Sequence, residues 1–324
     1  MSGYSTGTKN VHDLIDDIAN TLIASSGGYW TNNDATWNTN TRTEGTNLSR
    51  RSLKYLKGSE TWYFSMEVIN ANTNIYRSCG NNAYYYAKGI RFAFSQTWTP
   101  STGYPAPPNS QTSLVYILVG NGSNGGCTDI LNMQTTYYMW IDETGFVIMG
   151  RPEPTSDPNE NSFIVVVEHS DTKEYTDGYT NVYLFSQTNI WPTLHDGSAN
   201  NGGELSQLHR SILRPFAYLW PNNGGCWSAT QPYSYGISYY VTCGYWGYKS
   251  LGNGKVYYVK PVINNEANAV TPIFQSELFF PWNEGVGLID GDVIALEGTS
   301  KKFLCKSLDS PDSTNRLNFA IRYV

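Results

Sequence analysis

The sequence predicts a mainly β protein: antiparallel sheets of sandwich or barrel-like form, one N-terminal amphipathic helix and long loops. Three observations carry that expectation. Short runs alternate apolar and polar side chains with the period of a pleated strand. Helical spacing is strong in one place, residues 11–23. Tyr and Trp, 25 and 10 of 324 residues, supply large rings that lie flat on sheets and in interfaces.

The helix comes first. Val11, Leu14, Ile15, Ile18, Leu22 and Ile23 recur at three- and four-residue spacing, with Asn10 placed as the cap and Gly27-Gly28 as the stop. Asp13, Asp16 and Asp17 fall in its first two turns, where the helix dipole favours carboxylates. A short helix is also expected around Leu205 to Leu213.

Strands follow. Trp62, Phe64, Met66 and Val68 alternate with Thr61, Tyr63, Ser65 and Glu67, and Ile90, Phe92 and Phe94 repeat the pattern. Runs at 137–141 and 146–149 flank Asp142-Glu143-Thr144-Gly145, a polar link with Gly placed for a positive φ, which reads as a hairpin. The run 163–167 is apolar on both faces, which fits a central strand covered on both sides. A strand at 255–262 follows the turn-like Gly252-Asn253-Gly254, and 292–296 joins 302–308 through Gly298-Thr299-Ser300, so both regions read as hairpins. The run 317–324 stays β-rich to the last residue and is expected to be paired.

Between these runs lie long polar loops at 31–47, 99–112, 151–161 and 191–203, the second stiffened by Pro100, Pro105, Pro107 and Pro108. The expected organisation is an N-terminal helix or arm (1–28), a main aromatic-rich β domain (29–250) and a small C-terminal β module (251–324). No repeat of about 20–50 residues is present, which disfavours a solenoid or propeller.

Charge narrows the function classes. The net charge is −6 and only 15% of residues are charged, with Lys and Arg scattered. Without a basic cluster to neutralise phosphates, nucleic-acid binding is disfavoured. No apolar run approaches the ~20 residues of a spanning helix, and the start MSGYSTGTKN lacks a basic stretch followed by an apolar core. Synthesis in the cytoplasm without an export signal, and no membrane insertion, is therefore the expectation. The five cysteines (Cys79, Cys127, Cys226, Cys243, Cys305) are widely spaced, do not suit zinc ribbons and read as mostly reduced, although Cys226 and Cys243 could face each other across a hairpin.

Signs of catalysis are weak. His12 reads as a surface residue on the helix, and His195-Asp196-Gly197 as a turn. Glu168-His169-Ser170-Asp171 places three reactive side-chain types together, yet members of a triad meet through the fold rather than along the chain. Residues 120–126 are Gly- and Asn-rich but lack the Gly-Lys-Ser/Thr ending of a phosphate loop, and read as a flexible hairpin connection. Glu67, Glu143, Glu168 and Glu277 would need the right separation to act as a glycosidase pair; solvated strand-face or turn carboxylates are the plainer reading. With no HExxH pattern either, no catalytic residue, metal ligand or cofactor is expected.

The aromatic residues are the better lead. Trp220, Trp227, Tyr233, Tyr235, Tyr239, Tyr240, Tyr245, Trp246 and Tyr248 crowd one nearly uncharged stretch rich in Gly, Asn and Ser. Rigid rings beside small polar residues make good contact surfaces because little entropy is lost on burial. A glycan platform and a subunit interface both fit, and a share of these rings is expected simply to fill the core. Trp220, Trp227, Tyr233, Tyr235, Tyr245 and Trp246 are the candidate interaction surface.

Several stretches resemble structural proteins of tailed-bacteriophage particles. They are Ser25-Ser26-Gly27-Gly28-Tyr29-Trp30, the run 254–261 (GKVYYVKP), Leu288-Ile289-Asp290-Gly291-Asp292-Val293-Ile294, and 302–306 (KFLCK) with Ala320-Ile321-Arg322-Tyr323. The likeness covers the two ends of the chain better than the middle. It implies a virion protein of the tail or baseplate, a non-enzymatic structural subunit whose partners are other virion subunits and copies of itself. A glycan-binding, receptor-recognition protein of the tail is the alternative, and a polysaccharide-cleaving enzyme the third reading.

Overall fold

A computed structural model describes residues 3–25, 27–33, 47–70, 85–95, 98–99, 104–105, 114–123, 134–153, 162–169, 182–188, 210–213, 247–249, 255–258, 262–264, 272–282, 287–308 and 317–324. In chain order these form β1 (Gly3–Asn10), α1 (Val11–Ser25), β2 (Trp30–Asn32), β3 (Asn47–Lys57), β4 (Glu60–Asn70) and β5 (Tyr85–Ser95). Next come β6 (Trp98–Thr99), β7 (Tyr104–Pro105), β8 (Leu114–Ser123), β9 (Gln134–Asp142), β10 (Gly145–Glu153), β11 (Phe163–His169), β12 (Val182–Thr188) and β13 (Arg210–Leu213). The last third holds β14 (Gly247–Lys249), β15 (Val256–Tyr258), β16 (Val262–Asn264), β17 (Pro272–Gln275), β18 (Phe279–Pro281), β19 (Val293–Ala295), β20 (Lys302–Leu308) and β21 (Leu317–Arg322).

The expected fold class is the observed one: among the described residues the chain is antiparallel sheets with one helix. Three sheets dominate, ordered β1-β9-β10-β11-β12-β13, β2-β3-β4-β5-β8 and β18-β21-β20-β19. The first is the middle layer. Its odd-numbered residues on β9 and β11 (Tyr137, Met139, Ile141; Phe163, Val165, Val167) share a core with Leu53, Tyr55, Trp62, Phe64, Met66, Val68 and Ile90 of the five-stranded sheet. Its other face (Trp140, Val147, Met149, Ile164, Val166) packs on Leu278, Phe279, Leu308, Phe319 and Ile321 around the C-terminal sheet. The run 163–167 is thus buried on both faces, as its unbroken apolar character predicts. Each large side chain buried this way contributes about 1.5–3 kcal/mol of hydrophobic stabilisation.

Helix α1 packs its apolar stripe against both sheets, touching β1 and β9 on one side and β2, β3 and β4 on the other. Asn10 caps it: Asn10 Oδ1 accepts the Asp13 N–H at 2.9 Å, and Asn10 Nδ2 donates to Asp13 Oδ2 at 2.8 Å. Gly27 follows its last turn at φ 63°, a left-handed conformation natural to glycine. Arg51 on β3 is buried and ties the helix down, donating to Asp16 Oδ1 at 3.0 Å and through two nitrogens to Asn20 Oδ1 at 3.1 Å.

The β9–β10 hairpin forms as expected, in register from Gly145↔Asp142 to Glu153↔Gln134. Asp142 Oδ1 accepts the Thr144 N–H at 2.8 Å and its hydroxyl at 2.6 Å, which fixes the turn. Gly145 is required there: a Cβ would lie 1.9 Å from the Val167 carbonyl oxygen of the neighbouring strand. The β14–β15 and β19–β20 pairs and the inner place of β21 also match the expected hairpins and the expected paired C-terminal strand, but the strand expected over 255–262 is not continuous: β15 covers Val256–Tyr258, and Val262 begins β16, which pairs with β17 in a separate sheet.

Two other local expectations are corrected. Residues 210–213, at the end of the expected second helix (Leu205 to Leu213), form β13, paired to β12 from Leu184↔Leu213 to Gln187↔Arg210; strand pairing overrides the local spacing. Gly120 to Ser123 belong to β8 rather than to a loop, opposite Lys88 to Tyr85 of β5. The polar start of the chain is β1, aligned with β9 along its whole length and so part of the middle sheet. Most of the four long loops lie outside the described residues.

Candidate functional site

Strand alternation decides the geometry of Glu168 and His169, the described part of the segment 168–171, whose residue types suggested chemistry. On β11, Phe163, Val165 and Val167 face the five-stranded sheet while Ile164 and Val166 face the C-terminal layer. Continuing that alternation, Glu168 turns to the C-terminal layer and His169 to the opposite side. Adjacent in sequence, they do not converge. Ser170 and Asp171 lie outside the described residues.

Glu168 is buried, 1% exposed, and both carboxyl oxygens are engaged. Ser276 Oγ donates to its Oε2 at 2.8 Å, and the Glu277 N–H donates to its Oε1 at 2.7 Å. Ser276 Oγ in turn accepts the Leu278 N–H at 3.2 Å. The carboxyl therefore pins the 276–278 segment, and with it β18, onto the middle sheet. Glu277 turns its own carboxylate to Lys301, at 2.6 Å. Glu168 and Glu277 thus meet through a backbone N–H, not as two carboxyl groups facing a shared cleft.

His169, 4% exposed, reaches the other way. Its Nε2 lies 2.8 Å from Glu60 Oε2 at the start of β4, and its ring centroid 5.4 Å from that of Tyr55. Tyr55 belongs to a packed aromatic group with Trp30 and Trp62, at centroid distances of 5.1 and 5.2 Å, and Trp62 leads on to Phe64 at 6.3 Å. The bond from His169 to Glu60 closes this group at its rim and joins the middle sheet to the five-stranded one. Such a polar tie between apolar layers fixes the layers' alignment more than it adds net stability.

A second cluster lies where the N-terminal strand meets the C-terminal sheet. Tyr4 of β1 meets Tyr323 edge to face at 4.8 Å, with Trp140 opposite Tyr4 in the register. The Lys306 ammonium sits 4.4 Å from the centre of the Tyr138 ring and 2.7 Å from Asp290 Oδ2, and the Arg322 guanidinium 5.4 Å from the Trp140 ring. Burial pushes the Tyr4 phenol above its usual range and lowers the Arg322 guanidinium. Tyr4, Tyr138, Arg322 and Tyr323 remain half-buried, so one side of the cluster reaches the surface beside the exposed Thr6 and Thr8. It is suited to contact rather than to proton transfer. Sequence reasoning missed it because Tyr4 and Tyr323 stand at opposite ends of the chain.

Cys305 is buried and free, its thiol pushed up to about 12, first by burial and then by Asp292 and Asp290. Among the described residues no group of three or more His, Cys, Asp or Glu side chains could hold a metal ion, and no helix is long and apolar enough to cross a membrane. The candidate interaction surface of Trp220, Trp227, Tyr233, Tyr235, Tyr245 and Trp246 lies outside the described residues, as do Tyr239, Tyr240, His195, His209, Cys79, Cys127 and the Cys226–Cys243 pair. Comparison with protein-family models, with curated proteins and with solved structures finds no match in any of the three.

Proposed function

We propose that the chain is a structural subunit of a bacteriophage particle, in the tail or baseplate, that works by binding copies of itself and other virion proteins, without a cofactor or catalytic turnover. The observation that carries the reading is the C-terminal sheet. Stretches that resemble virion proteins, 288–294, 302–306 and 320–323, meet there: Val293 lies opposite Leu304 and Cys305 opposite Ala320, and the first pairing is extended by the Gly291 N–H donating to Cys305 O and the Cys305 N–H to Asp292 O, each at 2.8 Å. These C-terminal stretches thus form one unit, seated on the middle sheet. In support, Glu168 and His169 serve as ties between layers, while uncharged side chains, the exposed Thr6 and Thr8 and the half-buried Tyr4, Tyr138 and Tyr323, reach the surface.

Sedimentation velocity and negative-stain electron microscopy of the purified chain test this. Rings or larger closed assemblies are expected. A chain that stays monomeric at every concentration overturns the reading.

A glycan-binding role within the same particle is favoured by the half-buried tyrosines around Lys306, since rings with a free face stack on sugars. Glycan-array binding that is lost in Tyr138→Ala supports this alternative, and absence of binding to host envelope polysaccharide removes it.

A further inference from the structure

We infer that the outer edge of β1 pairs antiparallel with β1 of a second copy, joining two six-stranded sheets across a two-fold axis. The inference rests on the assembly reading above and names the edge that assembly uses. β1 is eight residues long and ends its sheet; among the described residues it pairs with β9 alone. A strand in that position turns a row of N–H and C=O groups outward, and proteins that must not pair there shorten, charge, cover or interrupt such edges.

The other edges of the three larger sheets show those devices. β2 and β19 are three residues long, β18 is three residues with Pro281, and β8 and β13 lie beside each other where the two large sheets approach. Among the described residues β1 shows none of them. It contains no proline, and its one charge, Lys9, is turned onto Asp17 of α1 in an ion pair. Residues 3–8 (GYSTGT) carry no charge, and Thr6 and Thr8 are exposed.

The occupant follows from self-complementarity. With the two-fold axis through Thr6, Thr6 faces Thr6, Ser5 faces Gly7 and Tyr4 faces Thr8, so no like charges meet and aromatic and β-branched residues oppose each other, the cross-strand pairs that stabilise sheets. The strand already pairs this way on its inner side: Thr8 and Thr136 hydroxyls lie 2.9 Å apart, and Tyr4 stands opposite Trp140. An isologous contact of this kind closes on itself and leaves the remaining surfaces for higher assembly.

The test places charge on the axis. Thr6→Lys and Thr6→Glu each oppose like charges in a paired edge, and each is expected to weaken pairing at least about tenfold, while an equal mixture of the two recovers it as a mixed pair in native mass spectrometry. Thr6→Val removes the hydroxyl bond to the Tyr137 carbonyl, 2.7 Å in the parent, without adding charge, and is expected to pair like the parent. Circular dichroism unchanged from the parent shows that the fold survives these substitutions at an exposed site. If the parent assembles and both charged variants assemble equally well, the β1 edge is not the contact although the assembly reading stands. If the parent itself is monomeric, both fall.

Discussion

Glu168 and His169 are consecutive residues of β11 whose side chains leave the strand on opposite sides: one is bonded to Ser276 and Glu277 of the C-terminal layer, the other to Glu60 of the five-stranded sheet. The middle sheet is therefore fastened above and below at a single point along one strand. The apolar contacts between the layers resist separation but allow sliding; two directional bonds at adjacent residues set the alignment.

Removing the Glu168 carboxyl tests one side of this fastening. Glu168→Ala leaves the Ser276 hydroxyl and the Glu277 N–H buried without that acceptor, a loss of about 2–4 kcal/mol. Glu168→Gln keeps one acceptor oxygen and is expected to lose less. Urea unfolding midpoints of the two variants check this order, and equal midpoints for Glu168→Ala and the parent would contradict it.

For the other side, a double-mutant cycle on Glu60→Ala and His169→Ala is expected to give a coupling energy of about 0.5–3 kcal/mol, the range for residues in direct contact. Additive losses would mean that the 2.8 Å approach of His169 Nε2 to Glu60 Oε2 contributes nothing measurable.

Most of the fold was legible in the sequence, because period and parity are carried by large apolar residues. Trp62, Phe64, Met66 and Val68 declare one face of β4 by alternation alone, and Val11, Leu14, Ile15 and Ile18 declare the helix by spacing. β1 was not legible: in GYSTGTKN the side that meets β9 is held by threonine hydroxyls and backbone, with Tyr4 its one large ring. The opposite facing of Glu168 and His169 was present in the sequence as the continuation of a run apolar on both faces. Their partners were not, since Glu60 and Ser276 are each more than a hundred residues away. The cluster of Tyr4, Tyr138 and Tyr323 depends on how the two ends of the chain come together, which no local pattern records.

Two glycines separate close approach from backbone preference. Gly145→Ala drives a methyl against the Val167 carbonyl, an unyielding backbone atom, at a cost on the order of 3 kcal/mol or more. Gly27→Ala meets no atom within 4 Å and bears only the left-handed conformation at φ 63°, about 1–2 kcal/mol. Thermal unfolding of the two variants should rank them in that order.

Cys305 sets an alkaline limb. Its thiol is raised from 9.0 to about 12 in the folded chain, so the folded state favours the neutral form. The stability this contributes is fully present below the unfolded value and falls as pH climbs toward the folded one. Between about pH 9 and 11 the parent is expected to lose stability more steeply than Cys305→Ala, as read by urea midpoints at each pH. In native protein near pH 8 the peptide containing Cys305 should resist iodoacetamide and react after denaturation, because the attacking species is the thiolate. Rapid alkylation of the native chain at this position would contradict its burial.

The proposed assembly role is tested most directly by a cryo-electron microscopy map of the intact particle made by the phage whose genome encodes this chain. The account predicts repeated copies of the three-layered fold in the tail or baseplate, in contact with one another and with neighbouring virion proteins. Particles purified to homogeneity that contain no copy of the chain would contradict it.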